Sequence, residues 1–177
     1  MKIQQANIEG LLVIDSLLFN DSRGTLIKPY SEEFFNSIED LNLNFKEVWF
    51  TKSFKNVIRA MHLQTGPKAC EKMVSIIEGS VLDVVIDLRK DSASFLKIYS
   101  LILDAATPKS LYIPKGCAHG YKVLTDRTLV MYMATETHDT AHDTGIKWDS
   151  IDFDWEIEEP ILSFKDLHLP ILEDFLK

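Results

Sequence analysis

The stretch IRAMHLQTGPKACEKMVSIIEG, Ile58 to Gly79, decides the fold of this 177-residue chain. It begins with an alternating run that predicts a strand, and the residues that share one face of that strand are Ile58, Ala60, His62 and Gln64. A segment containing Gly and Pro follows, and a second alternating run, KMVSIIEG, closes the stretch. Short strands separated by turns are typical of a β-sandwich or a β-barrel.

Similar strand patterns continue outward from this stretch. They are VLDVVIDL (81–88), LKIYSLIL (96–103), SLYIP (110–114) and RTLVMYMATE (127–136), separated by the turn signals EGS, RKDSAS and IPKG. Two stretches have helical signals, YSEEFFNSIEDLNL (30–43) with Ser31 as a cap and LSFKDLHL (162–169) with Ser163 as a cap. The sequence therefore predicts a mainly β fold with short peripheral helices.

Composition predicts one domain and excludes some partners. The chain is 46% hydrophobic and carries a net charge of −8 without a basic stripe, so we expect no nucleic-acid partner. Cys70 and Cys117 form no recognisable framework, which is typical of reduced thiols in a cytoplasmic protein. The N-terminal residues MKIQQANIEGLLVIDSLLF are interrupted by Glu9 and Asp15, so we expect neither a signal peptide nor a membrane span.

The polar residues of the opening stretch pose a chemical question. A metal-binding cupin barrel would have a second His where this chain has Gln64, and a Glu where it has Lys72. A protonated Lys repels a divalent cation, so this pair argues against a metal cofactor. Lys72 instead suits a negative charge on a substrate, such as an enolate oxygen or a phosphate, although a surface Lys is a common alternative.

Four further residues have both a catalytic and a structural interpretation. His62 is either a base or a core His, and Tyr132 is either a weak acid that can protonate a carbanion or a core Tyr. His119 lies in IPKGCAHG, which is otherwise a plain turn with a half-buried His. Asp166 either caps a helix or folds back to orient His62, as carboxylates do for catalytic imidazoles.

Several motifs in order resemble the dTDP-4-dehydrorhamnose 3,5-epimerase family, the dTDP-sugar epimerases of the cupin superfamily. They span almost the whole chain and include DSRGTL, KNVIRAMHLQ, LYIPKGCAHGYKVL, MYMATETH, GIKWD, IDFDW and PILSFKD. The resemblance implies a cupin-type (jelly-roll) β-barrel, a homodimer, no cofactor and a nucleotide-linked 4-keto-6-deoxy sugar as substrate. It also implies a cytoplasmic enzyme of dTDP-rhamnose biosynthesis, which supplies surface polysaccharides such as the lipopolysaccharide O-antigen.

The resemblance also assigns roles to matching positions. His62 would be the base, Asp166 its orienting partner, Tyr132 the acid and Lys72 the enolate-stabilising cation. The substrate-binding residues would be Arg59 and Arg23 on the diphosphate, Arg23 from the partner subunit, together with Gln64, His119, Trp49 and His138. Strict strand alternation, however, puts Arg59 on the face opposite His62.

The chain departs from the family pattern at Thr25, Lys28, Ala60 and His138, and in the segment EVWF (47–50), which replaces a polar segment. We expect Thr25, Lys28 and residues 47–49 to line the nucleotide side of the pocket, where they would relax the preference for thymine. The alternative is that these positions are surface loops.

We expect a single domain over 1–177: strands and a helix in 1–50, the barrel core in 51–136 and a segment packing on the barrel in 137–177. Rival functions are a single-centre epimerase, a ketoisomerase, a non-catalytic sugar-nucleotide-binding cupin and a metal-dependent cupin oxygenase.

Overall fold

A computed structural model of the protein describes residues 1–38, 41 and 43–177. Within these residues the larger sheet has six antiparallel strands in the order β1-β2-β10-β7-β12-β5. Their bounds are β1 (Lys2–Gln5), β2 (Leu12–Asp15), β5 (Glu47–Phe54), β7 (Lys72–Glu78), β10 (Lys109–Ile113) and β12 (Arg127–Ala134). The edge strand β5 pairs along its whole length with β12.

A second sheet and a separate hairpin contain the other strands in the described part of the chain. The second sheet has the order β13-β6-β11-β8-β9. Its strands are β6 (Ile58–Gln64), β8 (Ser80–Asp87), β9 (Ile98–Asp104), β11 (Cys117–Val123) and β13 (Asp143–Gly145). The hairpin consists of β3 (Leu17–Asp21) and β4 (Gly24–Lys28). Every strand predicted from alternation is present, so the mainly β prediction is confirmed.

The main core lies between the two large sheets. It combines inward residues of the six-stranded sheet, such as Val74 and Val130, with inward residues of the other sheet, such as Val81 and Val85. The alternation of β8 therefore matches the sequence prediction, with one set of side chains in this core and the other set, such as Val84 and Ile86, in a second core. Burial of these aliphatic side chains is the dominant stabilising term of such a fold.

Two peripheral segments cover the outer faces of the barrel. Residues around α1 (Glu32–Asn36) pack on the six-stranded sheet through Phe35, which is fully buried. The C-terminal segment packs on the five-stranded sheet through Ile146, Ile151 and Trp155, and it carries the short helices α2 (Phe164–Leu167) and α3 (Leu172–Phe175).

The first predicted helix is much shorter in the structure than in the sequence pattern. Ser31 occupies the N-cap position, but its side chain makes no capping hydrogen bond, and the helix ends at Asn36. The Ser37 hydroxyl donates to the carbonyl oxygen of Phe34 at 2.6 Å, a local bond that competes with continued helix. The apolar stripe of Phe34, Phe35, Ile38 and Leu41 packs on the sheet without a continuous helix, and residues 39, 40 and 42 of the predicted helix lie outside the described residues.

Candidate active site

A pocket of about 540 Å³ brings together most of the residues singled out from the sequence. It is lined by residues of both large sheets, by the loop that follows β12 and by α2. The four residues considered for catalysis line it, namely His62, Lys72, Tyr132 and Asp166. So do five of the six considered for substrate binding, namely Trp49, Arg59, Gln64, His119 and His138.

A β-bulge in β6 turns Arg59 and His62 toward the same pocket. His119 of β11 pairs with His62, whereas Tyr121 pairs with Arg59, so three residues of β6 span two steps of β11. Such an extra residue reverses the direction of the side chains beyond it. The prediction that Ile58 and Ala60 share the face of His62 is therefore wrong: both lie in the outer core, away from the pocket.

Gly120 makes room for this bulge. A Cβ atom at Gly120 would lie 2.3 Å from the Cβ of Ala60 and 2.8 Å from the carbonyl oxygen of Arg59. These distances are too short for any side chain at position 120. The glycine of the AHG motif is thus explained by the close approach of the bulged strand.

His62 and Asp166 form an imidazole–carboxylate pair at the pocket. Nε2 of His62 lies 2.7 Å from Oδ1 of Asp166. The His62 side chain is 27% exposed and the Asp166 side chain 3%, so a ligand can reach the imidazole while the carboxylate stays behind it. Asp166 is held by α2, where its backbone N–H donates to the side chain of Ser163, so the predicted cap is confirmed. The cap and the pairing with His62 are therefore compatible roles of one short helix.

Lys72 presents a cation to the pocket from the start of β7. Lys72 is partly buried and lines the pocket, and its Nζ makes no hydrogen bond or ion pair with the described residues. Desolvation lowers the pKa of Lys72, partly offset by Cys70 and Asp143, while the nearby Lys165 lowers it further. An unpaired, desolvated ammonium group is suited to stabilising a negative charge that develops on a bound molecule.

Tyr132 is almost fully buried among aromatic side chains. Its ring stacks on Trp49 with a centroid distance of 5.0 Å and an interplanar angle of 3°, and it meets the edge of His119 at 6.2 Å. Burial raises the pKa of Tyr132 well above its usual value, and the neighbouring Tyr121 acts in the same direction. The phenol therefore stays protonated over the whole physiological range.

A second imidazole–carboxylate pair lies beside the first. Nε2 of His119 is 2.8 Å from Oδ2 of Asp83, and both residues are buried. The other carboxylate oxygen, Oδ1, is buried and has no hydrogen-bond partner among the described residues, and burial raises the pKa of Asp83. Asp83 was not predicted as a site residue, although a carboxylate on the same strand face as Val81 and Val85 was the available signal.

Gln64 reaches the pocket wall, but its amide is bonded to protein groups. Nε2 donates to the carbonyl oxygens of Lys68 at 3.1 Å and Thr137 at 3.3 Å. Oε1 accepts from the backbone N–H of Asp139 at 2.7 Å. Gln64 therefore fixes the loop 137–143, and this loop carries His138 and Asp143.

Asp143 and Lys165 complete the rim of the pocket. Asp143 accepts hydrogen bonds from His138 and Lys165 through the same oxygen. Burial alone would raise the pKa of Asp143, but the hydrogen bonds from Lys165 and His138 hold that pKa below its usual range. Neither Asp143 nor Lys165 was predicted as a site residue: Asp143 begins the three-residue strand β13, which is too short to show alternation, and Lys165 lies in the predicted helical stretch 162–169, where no pattern distinguishes it.

Arg23 and two further positions lie away from the pocket of their own chain. Arg23 is 86% exposed at the β3–β4 turn, where Nη2 pairs with Oδ2 of Asp21 at 2.6 Å. Thr25 and Lys28 lie on β4 and do not line the pocket, unlike Glu47, Val48 and Trp49 of the same expected group. The short turn closes Asp21 and Arg23 into a local pair, so the hairpin tip stays at the surface.

In residues 1–38, 41 and 43–177, no three His, Cys, Asp or Glu side chains come together as a metal-binding group. None of the helices in the same residues is long and apolar enough to cross a membrane.

Comparisons with known proteins agree with this geometry. The model of the family described as dTDP-4-dehydrorhamnose 3,5-epimerase matches residues 5–174. The chain is 34% identical over 180 residues to the dTDP-4-dehydrorhamnose 3,5-epimerase of Escherichia coli K12, covering 100% of this chain and 97% of that protein.

Solved structures share the whole fold. The enzyme of the same name from Bacillus anthracis, with TDP and pyrophosphate bound, superposes with a TM-score of 0.92 at 33% identity and covers 97% of this chain and 99% of that one. The dTDP-6-deoxy-D-glucose-3,5-epimerase of Legionella pneumophila, in complex with dTDP-4-keto-L-rhamnose, gives 0.91 at 27% identity and covers 97% and 93%.

The fold is a cupin-type β-barrel with short peripheral helices, as the sequence predicted, and the protein is an epimerase. The chain belongs to the dTDP-4-dehydrorhamnose 3,5-epimerase family.

Proposed function

We propose that the protein epimerises a nucleotide-linked 4-keto-6-deoxy sugar at C3, C5 or both, through an enolate. The observation that carries this proposal is the placement of His62 and Tyr132 on opposed sheets, with Lys72 in the same pocket. A base and an acid that approach from two sides can remove a proton from one face of a carbon and return one to the other. Relatives that bind TDP and dTDP-4-keto-L-rhamnose support the substrate class.

Each residue has a defined proton or charge to handle. His62 takes the proton from the carbon next to the ketone, and Asp166 orients the imidazole and stabilises its cation. The C–H electron pair forms the enolate, whose oxygen is stabilised by the Lys72 ammonium group in a site of low dielectric. Tyr132 then donates its proton to the opposite face and inverts the centre. Solvent restores both protonation states, so oxidation state and atoms balance.

The remaining pocket residues suit the activated end of the substrate. Nε of Arg59 donates to Oγ of Ser53 at 3.0 Å, which fixes the guanidinium group on the pocket wall. We propose that Arg59 binds the diphosphate, because guanidinium groups bind phosphates through paired N–H donors. His119 and His138 extend the polar surface beside it.

The decisive experiment is incubation in deuterated water with candidate 4-keto-6-deoxy sugars. Exchange and inversion at both C3 and C5 would support a double epimerase, and exchange at one carbon a single-centre epimerase. A ketone that moves along the ring would indicate a ketoisomerase. Tight binding without any exchange would overturn the catalytic proposal in favour of a binding protein.

The preferred nucleotide base is part of the same test. Val48 contributes an apolar side chain to the pocket lining in the segment where the family pattern has polar residues, which supports a relaxed preference for thymine. A more than hundredfold preference of kcat/KM for the dTDP sugar over its UDP, CDP and GDP counterparts would contradict this part of the proposal and leave the epimerase assignment in place.

We propose further that the protein is a homodimer in which the hairpin of one chain supplies Arg23 to the other. Three outward side chains of the edge strand β5 are more than half exposed, namely Val48, Phe50 and Phe54. The hairpin exposes Phe19 and Leu26 as well. Apolar surface of this kind on a sheet edge is suited to a second copy of the chain.

The oligomeric state can be measured by light scattering after size exclusion. Phe50→Asp should shift the protein toward a monomer, whereas Ile102→Asp, at a residue 63% exposed on β9, should leave the mass unchanged. A wild-type monomer at micromolar concentration would overturn the homodimer.

We also propose that the protein is cytoplasmic. The buried free thiols of Cys70 and Cys117 support this location, because free thiols are typical of a reducing compartment. Recovery of the protein in a membrane or extracellular fraction would contradict it.

A further inference from the structure

Trp49 and Tyr132 are direct neighbours across two strands. They are register partners in the β5–β12 ladder, and both side chains point into the pocket. Their rings are parallel within 3°, with centroids 5.0 Å apart. This is the geometry in which one ring covers a whole face of the other.

The surroundings of Tyr132 make Trp49 the main lateral support of the phenol. On another side, His119 meets Tyr132 with a centroid distance of 6.2 Å at an angle of 72°, so it supports the phenol through an edge contact. On the other side, Trp49 stacks parallel to the phenol and covers that ring face, and its strand β5 is the last strand of the sheet in the described part of the chain. The Trp49 indole is itself only partly buried, and it lines the pocket from the last strand of the sheet.

We propose that Trp49 is a positioning residue that fixes the Tyr132 phenol in the direction of proton delivery, and not a substrate-binding residue. The inference rests on the proposed role of Tyr132 as the acid. A phenol can return a proton to one face of an enolate only while its hydroxyl points at that carbon. A stacked indole restricts tilting of the phenol ring and keeps water from its face.

The consequence concerns the fate of the enolate and not its formation. His62 still removes the proton when Tyr132 is badly oriented, and it can return a solvent-derived proton to the original face. Deuterium then enters the substrate without inversion. The ratio of inverted product to total exchange therefore reports the orientation of Tyr132, and a purely structural role would leave it unchanged.

The experiment compares Trp49→Leu and Trp49→Phe with wild type in deuterated water, measuring inversion and exchange in the same sample. Trp49→Leu should lower the ratio by roughly 3- to 10-fold, the factor that corresponds to the free energy of an aromatic pair. Trp49→Phe keeps a stacked ring and should keep a ratio close to wild type. Trp148→Leu, the same substitution in the C-terminal segment and outside the pocket, is the matched control.

The ratio does not depend on the fraction of folded enzyme, so partial unfolding of a variant cannot imitate the result. A ratio for Trp49→Leu equal to wild type, with only KM raised, would overturn the inference and return Trp49 to substrate binding. The proposed function would survive that outcome, whereas absence of exchange in wild type would contradict the proposed function.

A second measurement needs no substrate. In a spectrophotometric titration, Trp49→Leu should show an extra tyrosine that ionises at lower pH than in wild type, because the Tyr132 phenol loses the indole that covers one face of its ring. The double variant Trp49→Leu/Tyr132→Phe should lose that extra group. Equal titration of wild type and Trp49→Leu would contradict the covering role of the indole.

Discussion

Nε2 of His62 and Oδ1 of Asp166 lie 2.7 Å apart although 104 positions separate the two residues in the chain. The imidazole belongs to a bulged strand and the carboxylate to a four-residue helix of the C-terminal segment. The base of the proposed reaction therefore depends on the packing of that segment against the barrel.

His62→Ala should abolish solvent exchange at the reacting carbon, because no other group is proposed to remove that proton. General-base catalysis is typically worth about 10²–10⁴-fold, so the exchange rate should fall by at least that range. The measurement is deuterium incorporation followed by NMR. Near-normal exchange in His62→Ala would show that another residue is the base.

Asp166→Asn should reduce the same exchange rate, but less than His62→Ala does. The amide can still hold the ring at hydrogen-bond distance, whereas it loses the charge that stabilises the imidazole cation. Asp152→Asn, an exposed carboxylate of the C-terminal segment, is a suitable control. A variant as fast as wild type would mean that the pairing is structural.

Lys72→Met should stop turnover and at the same time stabilise the unliganded protein. The ammonium group is desolvated without a partner among the described residues, so its removal relieves a cost of folding. A gain of about 1 kcal/mol would raise Tm by roughly 2–4 °C in a chain of this size. A lower Tm would show that Lys72 contributes to the fold.

The same residue gives a pH dependence of definite sign. Because the pKa of Lys72 is lowered from 10.5 in the folded state, the unfolded chain binds more protons between that lowered pKa and 10.5. The contribution of Lys72 to stability therefore rises with pH across this window. The difference in unfolding free energy between Lys72→Met and wild type should shrink as pH rises through it, and a difference that grows would contradict the assignment.

Gln64→Glu should destabilise the loop 137–143. A carboxylate oxygen would replace the NH₂ group that donates to the carbonyl oxygens of Lys68 and Thr137. Both carbonyl oxygens would then face another acceptor and lose their hydrogen bonds. The expected cost is about 1–3 kcal/mol, measured by thermal denaturation and by faster proteolysis in the loop. Gln4→Glu, on an exposed face of β1, is the control and should change neither.

The fold was predictable because strand alternation, turn residues and motif order all agreed. The pocket was predictable to the extent that its residues lie on strands, as Lys72 and Tyr132 do. Alternation failed in β6, since a bulge leaves no mark on the sequence except a small residue on the neighbouring strand. Asp143 and Lys165 were missed because their approach is set by tertiary packing and by no local period.

The bulge in β6 limits the insertions and deletions that this strand can accept. Side chains of a regular strand alternate between its two faces, so residues three positions apart point in opposite directions. The extra residue of the bulge reverses this alternation, and Arg59 and His62 therefore point to the same side. A deletion that restored the regular alternation would turn either Arg59 or His62 away from the pocket. Gly120 leaves the space in which the extra residue fits, so the placement of both side chains in the pocket depends on a glycine in the neighbouring strand.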